Sequence, residues 1–242
     1  MDEQGIAARV EEELEKDPGI RVPEQQLWAA VSDGVLTIGG EVVDIASKRR
    51  AFARATACRE VRWVVDLVRV APATPMEDGL LRDHVRDALI GEPAFEECSL
   101  GVSHDGREES ARDAGPEPRG AVRLQVRGGV VTLRGFVPTL AHRRLAETLA
   151  WWVPGTCDVR NELDVSPPED DSDDEISDAV RFVLEKEPFV DAAQLRIDTR
   201  GGEVTLWGTL PSDEQRVIAE RDAWCVPGVR EVVDRIELTS SP

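Results

Sequence analysis

The sequence offers few residues that could perform enzyme chemistry. Its three histidines, His84, His104 and His142, share no spacing with a nucleophile or with a set of metal ligands. Asp83 and His84 form an adjacent Asp-His pair, but no further ligands accompany it. The serine-nucleophile, phosphate-loop, zinc-helix and dinucleotide motifs are absent. The sequence therefore predicts a protein that is not an enzyme, with no catalytic residue and no cofactor.

The cysteines do not suggest a metal or redox site. The chain has four, far apart and without a CxxC pair: Cys58, Cys98, Cys157 and Cys225. Structural zinc sites and thiol redox motifs both draw on closely spaced cysteines. We expect these thiols to be reduced, mostly buried and free of metal.

Four basic residues lie close together in the first third of the chain: Lys48, Arg49, Arg50 and Arg54. A basic helix face at an anionic membrane gains about 1 kcal/mol per charge, so this cluster is a candidate contact for anionic lipid. The alternative is an ordinary solvated helix face.

The overall charge argues against nucleic acid as a partner, because the net charge is −19 and phosphate binding needs a basic footprint. No apolar run is long enough to span a membrane, and the start, Met1-Asp2-Glu3-Gln4, lacks the features of a signal peptide. These features predict a cytoplasmic location, with peripheral membrane attachment as the alternative.

One segment occurs three times and must organise the fold. Residues 34–40 (GVLTIGG), 129–135 (GVVTLRG) and 202–208 (GEVTLWG) align, and the register continues without a gap to Val70, Val165 and Leu238. The three modules are predicted at residues 1–71, 76–166 and 174–240. The second contains an insertion, about 104–119, that is polar enough to predict a disordered loop.

The sequence of each module predicts a helix, two strands, a second helix and a third strand, in that order. Val10 and Leu14, at i and i+4, begin the pattern of the first helix, and Ala51 and Ala55 lie on the second, where small side chains would allow close approach to a sheet. A final strand follows, after a Pro-Gly turn in the second and third modules. Six glycines are expected to be structural turn residues: Gly34, Gly40, Gly129, Gly135, Gly202 and Gly208.

These features together resemble the BON domain family: the glycine-bounded strand, the alanine-bearing helix and a last strand of the form Val-x-Asp/Asn-x-apolar. The resemblance covers three stretches and implies an α+β protein of three tandem αββαβ modules, each a three-stranded sheet with two helices on one face. It also implies binding without catalysis. BON modules are typical of bacterial envelope and osmotic-stress proteins and are thought to contact phospholipid or other proteins.

The outward sheet face of the first module differs from those of the other two. Side chains alternate between the faces of a strand, and here the outward set is uncharged and apolar. Monomeric proteins rarely expose such a surface, so we expect another module or subunit to bury it, or a partner or lipid to contact it. The candidate interface residues are Trp28, Ala30, Val35, Trp63, Val65 and Leu67.

Asp66, Asn161 and Asp234 occupy one position in the third strand of the three modules and interrupt its inward apolar stripe. We interpret them as polar groups that hydrogen-bond nearby backbone amides, which is how buried polar groups are usually satisfied. Ligand binding is the alternative.

Two functions remain open. The first, from the resemblance, is a binding protein of phospholipid surfaces or of envelope and osmotic stress. The second is a cytoplasmic protein that binds protein partners or itself, as a scaffold or holdase, through the apolar sheet face of the first module.

Overall fold

A computed structural model describes residues 2–23, 27–104, 107–169 and 171–239 and shows an α+β protein, as the sequence predicts. The chain forms two compact units, residues 1–71 and 72–242. Repeat 1 occupies the first unit, whereas repeats 2 and 3 share the second. The predicted ends of the first and third modules, Met1 and Ser240, lie outside the described residues.

Repeat 1 has the predicted αββαβ order. A hairpin of two antiparallel strands is followed by a helix that returns the chain to a third strand, parallel to the second. Its elements are α1 (Glu3–Lys16), β1 (Trp28–Ser32), β2 (Val35–Val42), α2 (Ile45–Thr56) and β3 (Trp63–Val70).

Repeat 2 is larger than predicted, because its sheet has five strands in the order β5-β4-β6-β7-β8. The last three correspond to β1, β2 and β3 of repeat 1, and the other two are additional. Its elements are α3 (Asp78–Gly91), β4 (Cys98–His104), β5 (Arg107–Arg112), β6 (Gly120–Arg127), β7 (Val130–Val137), α4 (Leu140–Trp151) and β8 (Asp158–Val165).

The prediction of a disordered insertion is therefore wrong for residues 107–112, which pair antiparallel with β4. The sequence of this strand, REESAR, is almost entirely polar, and for that reason it predicts a disordered loop. It lies at the exposed edge of the sheet, where a strand needs no apolar side chains. Residues 105–106 of the predicted loop lie outside the described residues.

Repeat 3 returns to three strands in the order β11-β10-β9. Its elements are α5 (Asp173–Lys186), β9 (Leu195–Arg200), β10 (Glu203–Leu210), α6 (Asp213–Cys225) and β11 (Glu231–Leu238).

Local sequence explains how each module holds its elements in place. The second helix of each repeat is capped by a side chain: Asp44 accepts from the Ser47 amide at 2.8 Å, and Thr139 and Ser212 cap α4 and α6 in the same way. In repeats 2 and 3, the first helix also fixes the hairpin. Asp78 and Asp173, in its first turn, each accept hydrogen bonds from both amides of the turn.

The alanines of the second helix face the sheet. All six are fully buried, which is consistent with the predicted close approach of helix and sheet: Ala51, Ala55, Ala146, Ala150, Ala219 and Ala223. Leu36 and Ile38 are fully buried from the sheet side in repeat 1.

Repeats 2 and 3 pack together through α4, α5 and α6. Arg144 on α4 is almost completely buried, forms an ion pair with Asp171, and donates from Nε to the Pro227 carbonyl of repeat 3 at 3.2 Å. Lys186 on α5 reaches back to the buried Glu92 of repeat 2, with Nζ and Oε1 2.9 Å apart. These polar contacts join the two repeats into one unit.

Candidate functional site

The sheet of repeat 1 carries its candidate interface residues on one face, opposite the two helices. Strand register places these side chains in three rows across β1, β2 and β3: Trp28, Gly39 and Leu67; Ala30, Thr37 and Val65; and Ser32, Val35 and Trp63. The name apolar face is used below for Trp28, Ala30, Val35, Trp63, Val65 and Leu67.

The apolar face is open to solvent. Trp63 is 73% exposed, Leu67 44% and Trp28 43%. The Trp28 indole lies on Gly39, whose missing side chain leaves room for the ring against the strand. The two tryptophans therefore lie at opposite corners of the face, Trp28 flat on the sheet and Trp63 projecting. That a module or subunit buries this face stays a prediction.

The matching faces of repeats 2 and 3 are polar. Arg134 and Glu162 form an ion pair on the repeat 2 face, with Nε and Oε2 2.7 Å apart. On repeat 3, the Arg196 guanidinium lies 5.8 Å from the ring centroid of Trp207 and covers it. The apolar face is thus a property of repeat 1 and not of the shared fold.

Arginines border the apolar face. Arg59 and Arg62 are exposed just before β3, and Arg69 is exposed on β3 beyond Leu67. The intervening Glu60 is bound to Arg9, with Nη1 and Oε1 2.7 Å apart, and this hydrogen bond lowers the pKa of Glu60 to about 2. Cationic side chains beside exposed tryptophan are characteristic of surfaces that meet a membrane interface.

The predicted basic cluster is largely engaged with repeat 1 itself. Lys48 is buried, and its ammonium donates to Asp66 Oδ2 at 2.8 Å, so it cannot serve as the surface cation that the sequence suggests. Arg54 pairs with the buried Asp17 at 2.7 Å, and the Arg50 side chain packs over Gly19. The Lys48 side chain points inward because it lies on the side of α2 that faces the sheet. Lipid contact by Arg49, Arg50 and Arg54 stays a prediction.

The polar position in the third strand has the predicted structural role. Asp66, Asn161 and Asp234 each accept a hydrogen bond from the backbone amide two residues later, at 2.9, 3.3 and 2.8 Å. Each also reaches the second helix: Asp66 binds Lys48, Asn161 donates to the Arg143 carbonyl, and Asp234 lies 3.5 Å from Arg216. The position ties strand to helix in every repeat.

The predicted turn glycines occupy two kinds of site. Gly34, Gly129 and Gly202 are hairpin-turn residues with φ of 76°, 73° and 80°. Each follows another residue of positive φ, as a type I′ turn requires. Gly40, Gly135 and Gly208 also have positive φ, but they lie inside the second strand and not at a turn.

A buried carboxyl group in repeat 3 has no sequence signal. Asp222 on α6 is fully buried, and its Oδ1 accepts from Arg221 Nη2 at 3.0 Å. Burial is the main cause that raises the pKa of Asp222 to about 6, and the neighbouring Glu187 adds to it. The helical pattern of α6 gives no indication that Asp222 faces inward.

The described residues contain no cluster of three or more potential metal ligands, and the four cysteines are free thiols. Burial raises the pKa of the Cys98 thiol. Within the same residues, no helix is both long and apolar enough to cross a bilayer.

Comparison with solved structures finds only distant similarity. The CdsD structural protein of the Chlamydia trachomatis type III secretion system is 16% identical over 95% of this chain and 90% of that chain, with a TM-score of 0.25. The PrgH periplasmic domain is 10% identical over 89% and 96%, with a TM-score of 0.24. No curated protein matches the sequence.

The model of the BON domain family matches the chain three times, at residues 2–72, 109–167 and 172–240. The second match begins inside β5, so it leaves out α3 and β4. Because the matches cover most of the chain and fall on its three repeats, this protein belongs to the BON domain family.

Proposed function

We propose that this protein is a non-enzymatic binding protein that docks on phospholipid membranes through the apolar face of repeat 1. BON domains are generally binding domains and are usually linked to membranes and phospholipid. The observation that carries the proposal is the uncharged face with Trp63 73% exposed at one corner. Tryptophan favours the membrane interface because its ring is apolar and its N–H remains hydrated.

The energetics favour apolar anchoring over charge. Burying one large apolar side chain contributes about 1.5–3 kcal/mol, so Trp28, Trp63, Val65 and Leu67 together suffice for reversible binding. A net charge of −19 opposes approach to anionic lipid, and the few arginines at the border offset this only locally. We therefore expect binding to zwitterionic as well as anionic vesicles, with little loss at high salt. The cytoplasmic location inferred from the sequence stays a prediction.

Vesicle flotation tests the proposal. The parent protein should float with vesicles of phosphatidylcholine alone and of equal parts phosphatidylcholine and phosphatidylglycerol, and Trp28→Glu/Trp63→Glu should not. Trp207→Glu is the matched control, because it makes the same change on the outer sheet face of repeat 3 and should still float. A parent that floats with neither vesicle, or a double variant that floats like the parent, contradicts the proposal.

Light scattering on the same samples tests the second function that the sequence leaves open, which is binding of protein partners or self-association. A parent dimer that Trp63→Glu converts to monomer, with no flotation, would assign the apolar face to self-association. A monomeric parent that floats supports the membrane.

A further inference from the structure

Repeat 2 shows that the first edge of a BON sheet can accept another strand. Its additional strand β4 runs parallel to β6, with Leu100 opposite Val122 and Val102 opposite Leu124. Cys98 and Leu100 belong to the core of repeat 2, and Val102, at the next alternate position, is also buried. The added strand therefore completes both the hydrogen-bonding edge and the apolar core at this side of the repeat.

The equivalent edge in repeat 1 is β1. The sheet order is β1-β2-β3, so no further strand pairs with β1 among the described residues. Among the described residues, α1, the segment after it and the start of β1 line an open groove of about 570 Å³. Its apolar lining comes from Ala8, Leu14, Ile20, Val22, Leu27 and Trp28. The groove borders the start of β1 at Trp28, and Glu11 in its wall reaches the free edge of that strand.

The backbone of β1 is already directed into this groove. The Ala29 amide points away from β2 and donates to Glu11 Oε1 at 2.8 Å. The register of the repeats makes Ala29 the counterpart of Leu124, which in repeat 2 is paired with Val102 of β4. A side-chain carboxylate on α1 thus occupies the donor that a strand partner takes in repeat 2. Such a contact is replaceable, because a bound strand offers a carbonyl in its place.

We propose that the groove between α1 and β1 binds an extended peptide segment, which adds to β1 as a parallel strand. Its side chains at alternate positions are apolar and enter the groove, by analogy with the buried alternate residues Cys98, Leu100 and Val102 of β4. The groove wall also carries Glu11, Glu12 and Glu15; Glu12 pairs with Lys16, but the wall keeps a net negative charge, so the segment has basic residues near its apolar positions. The occupant is a basic, apolar-alternating strand of a protein partner.

Repeat 3 also leaves its first strand, β9, at the edge of the sheet, but its first helix contacts that strand differently. The counterpart of Val31 there is Thr199, whose hydroxyl is bonded to Ser177 on α5 with oxygen atoms 2.7 Å apart. This side-chain pair ties α5 to β9 where repeat 1 has an apolar residue. The groove described above is on repeat 1, and the inference concerns that repeat.

Peptide binding to the full chain tests the inference. The probe is a fluorescent peptide, KKVSLGVSH, which is residues 96–104 with Glu96→Lys, Glu97→Lys and Cys98→Val. Fluorescence anisotropy should show saturable 1:1 binding. A peptide of the same composition with its apolar residues adjacent should bind at least tenfold more weakly. In hydrogen exchange, the peptide should slow the amides of Ala29 and Val31.

Two variants on opposite walls of the groove locate the site. Ala8→Trp fills the groove from α1, and Ala29→Pro removes the edge donor; each should weaken binding tenfold or more. Ala8→Trp decides the question if Ala29→Pro does not fold. Val217→Trp, at an exposed position of α6, is the control and should change nothing.

The outcome is separable from that of the membrane proposal, because Trp63→Glu should abolish flotation and leave peptide affinity unchanged. The inference is overturned if the peptide does not bind, or if it binds Ala8→Trp as tightly as it binds the parent.

Discussion

At the scale of single residues, the glycine inside the second strand shows how a position can be fixed by space and conformation together. Gly135 and Gly208 have φ of 119° and 135°, a region that side-chain-bearing residues rarely adopt. A Cβ at either position would lie 2.0 Å from a backbone carbonyl oxygen, that of Ala121 in β6 or that of Gln194 just before β9. The glycine allows the two backbones to approach, and the same reason applies in both repeats.

Replacing Gly135 with alanine should therefore destabilise the protein by about 3 kcal/mol or more, because backbone strain and steric overlap add. Gly79→Ala in α3 is the control, since a Cβ there meets nothing within 4 Å. It should stabilise by up to about 1 kcal/mol through helix propensity. Urea unfolding measures both changes. Equal effects of the two substitutions would show that close approach at Gly135 is unimportant.

Asp222 should make stability depend on pH in an unusual direction. Its pKa is about 6 in the folded protein and about 3.9 in an unfolded chain. Between these values the folded state binds more protons, so the free energy of unfolding falls as pH rises from about 4 to 6. Acidification thus protonates Asp222 and removes a buried charge from the native state.

Urea unfolding at pH 5.5 and pH 7.5 checks this. Asp222→Asn, a neutral isostere, should stabilise the protein at pH 7.5 by an amount on the order of 1 kcal/mol and by less at pH 5.5. Glu185→Gln, at an exposed site on α5, is the control and should leave the pH dependence unchanged. The same gain from Asp222→Asn at both pH values would contradict the expectation.

At the scale of elements, β4 is a part of the repeat 2 core and not an addition at the surface. It alternates buried and half-buried residues, and its inward side chains pack with those of α3 and β6. The outer strand β5 covers its far edge with polar, mostly exposed residues. One strand of the insertion therefore supplies core, and the other protects the edge.

Truncating Leu100 to alanine should cost about 2–4 kcal/mol, because it leaves a cavity in a closed core where the side chain is only 2% exposed. Glu108→Ala on β5 is the control, and its effect should stay within about 0.5 kcal/mol. Thermal unfolding of the two variants gives the comparison. A Leu100→Ala variant as stable as the parent would place β4 outside the cooperative core.

At the scale of the whole molecule, repeats 2 and 3 behave as one unit because charged groups cross between them. Arg144 is bound to both Asp171 and Pro227, and Thr148 donates from Oγ1 to the Cys225 carbonyl at 3.4 Å. Buried polar groups of this kind are costly to leave unpaired. Separation of the two repeats would leave these polar groups unpaired unless water reached them.

Arg144→Ala should consequently loosen both repeats of the unit, with a loss of about 2 kcal/mol. In hydrogen exchange, amides of α6 in repeat 3 should exchange faster, although the substitution is in repeat 2. Arg181→Ala, which removes an exposed ion pair of α5, is the control and should have little effect. Faster exchange confined to repeat 2 would mean that the repeats are stable independently.

The sequence by itself determined the repeat, the order of elements in repeats 1 and 3, and the membership of the apolar face. These follow from periodicity and turn chemistry: alternation assigns Trp28 and Trp63 to one face of the sheet, and glycines locate the hairpin turns. The side-chain caps, such as Ser212 at the start of α6, are local contacts of the same kind, because each hydrogen bond spans three residues.

Tertiary structure alone decided which polar residues are buried and where added strands pair. Lys48 and Asp222 look like surface residues, because a helical pattern does not show which partner lies across the core. β5 looks disordered, because a polar strand at an edge takes its order from backbone pairing with β4. Such contacts join residues far apart in the chain, so their energies are absent from any local stretch of sequence.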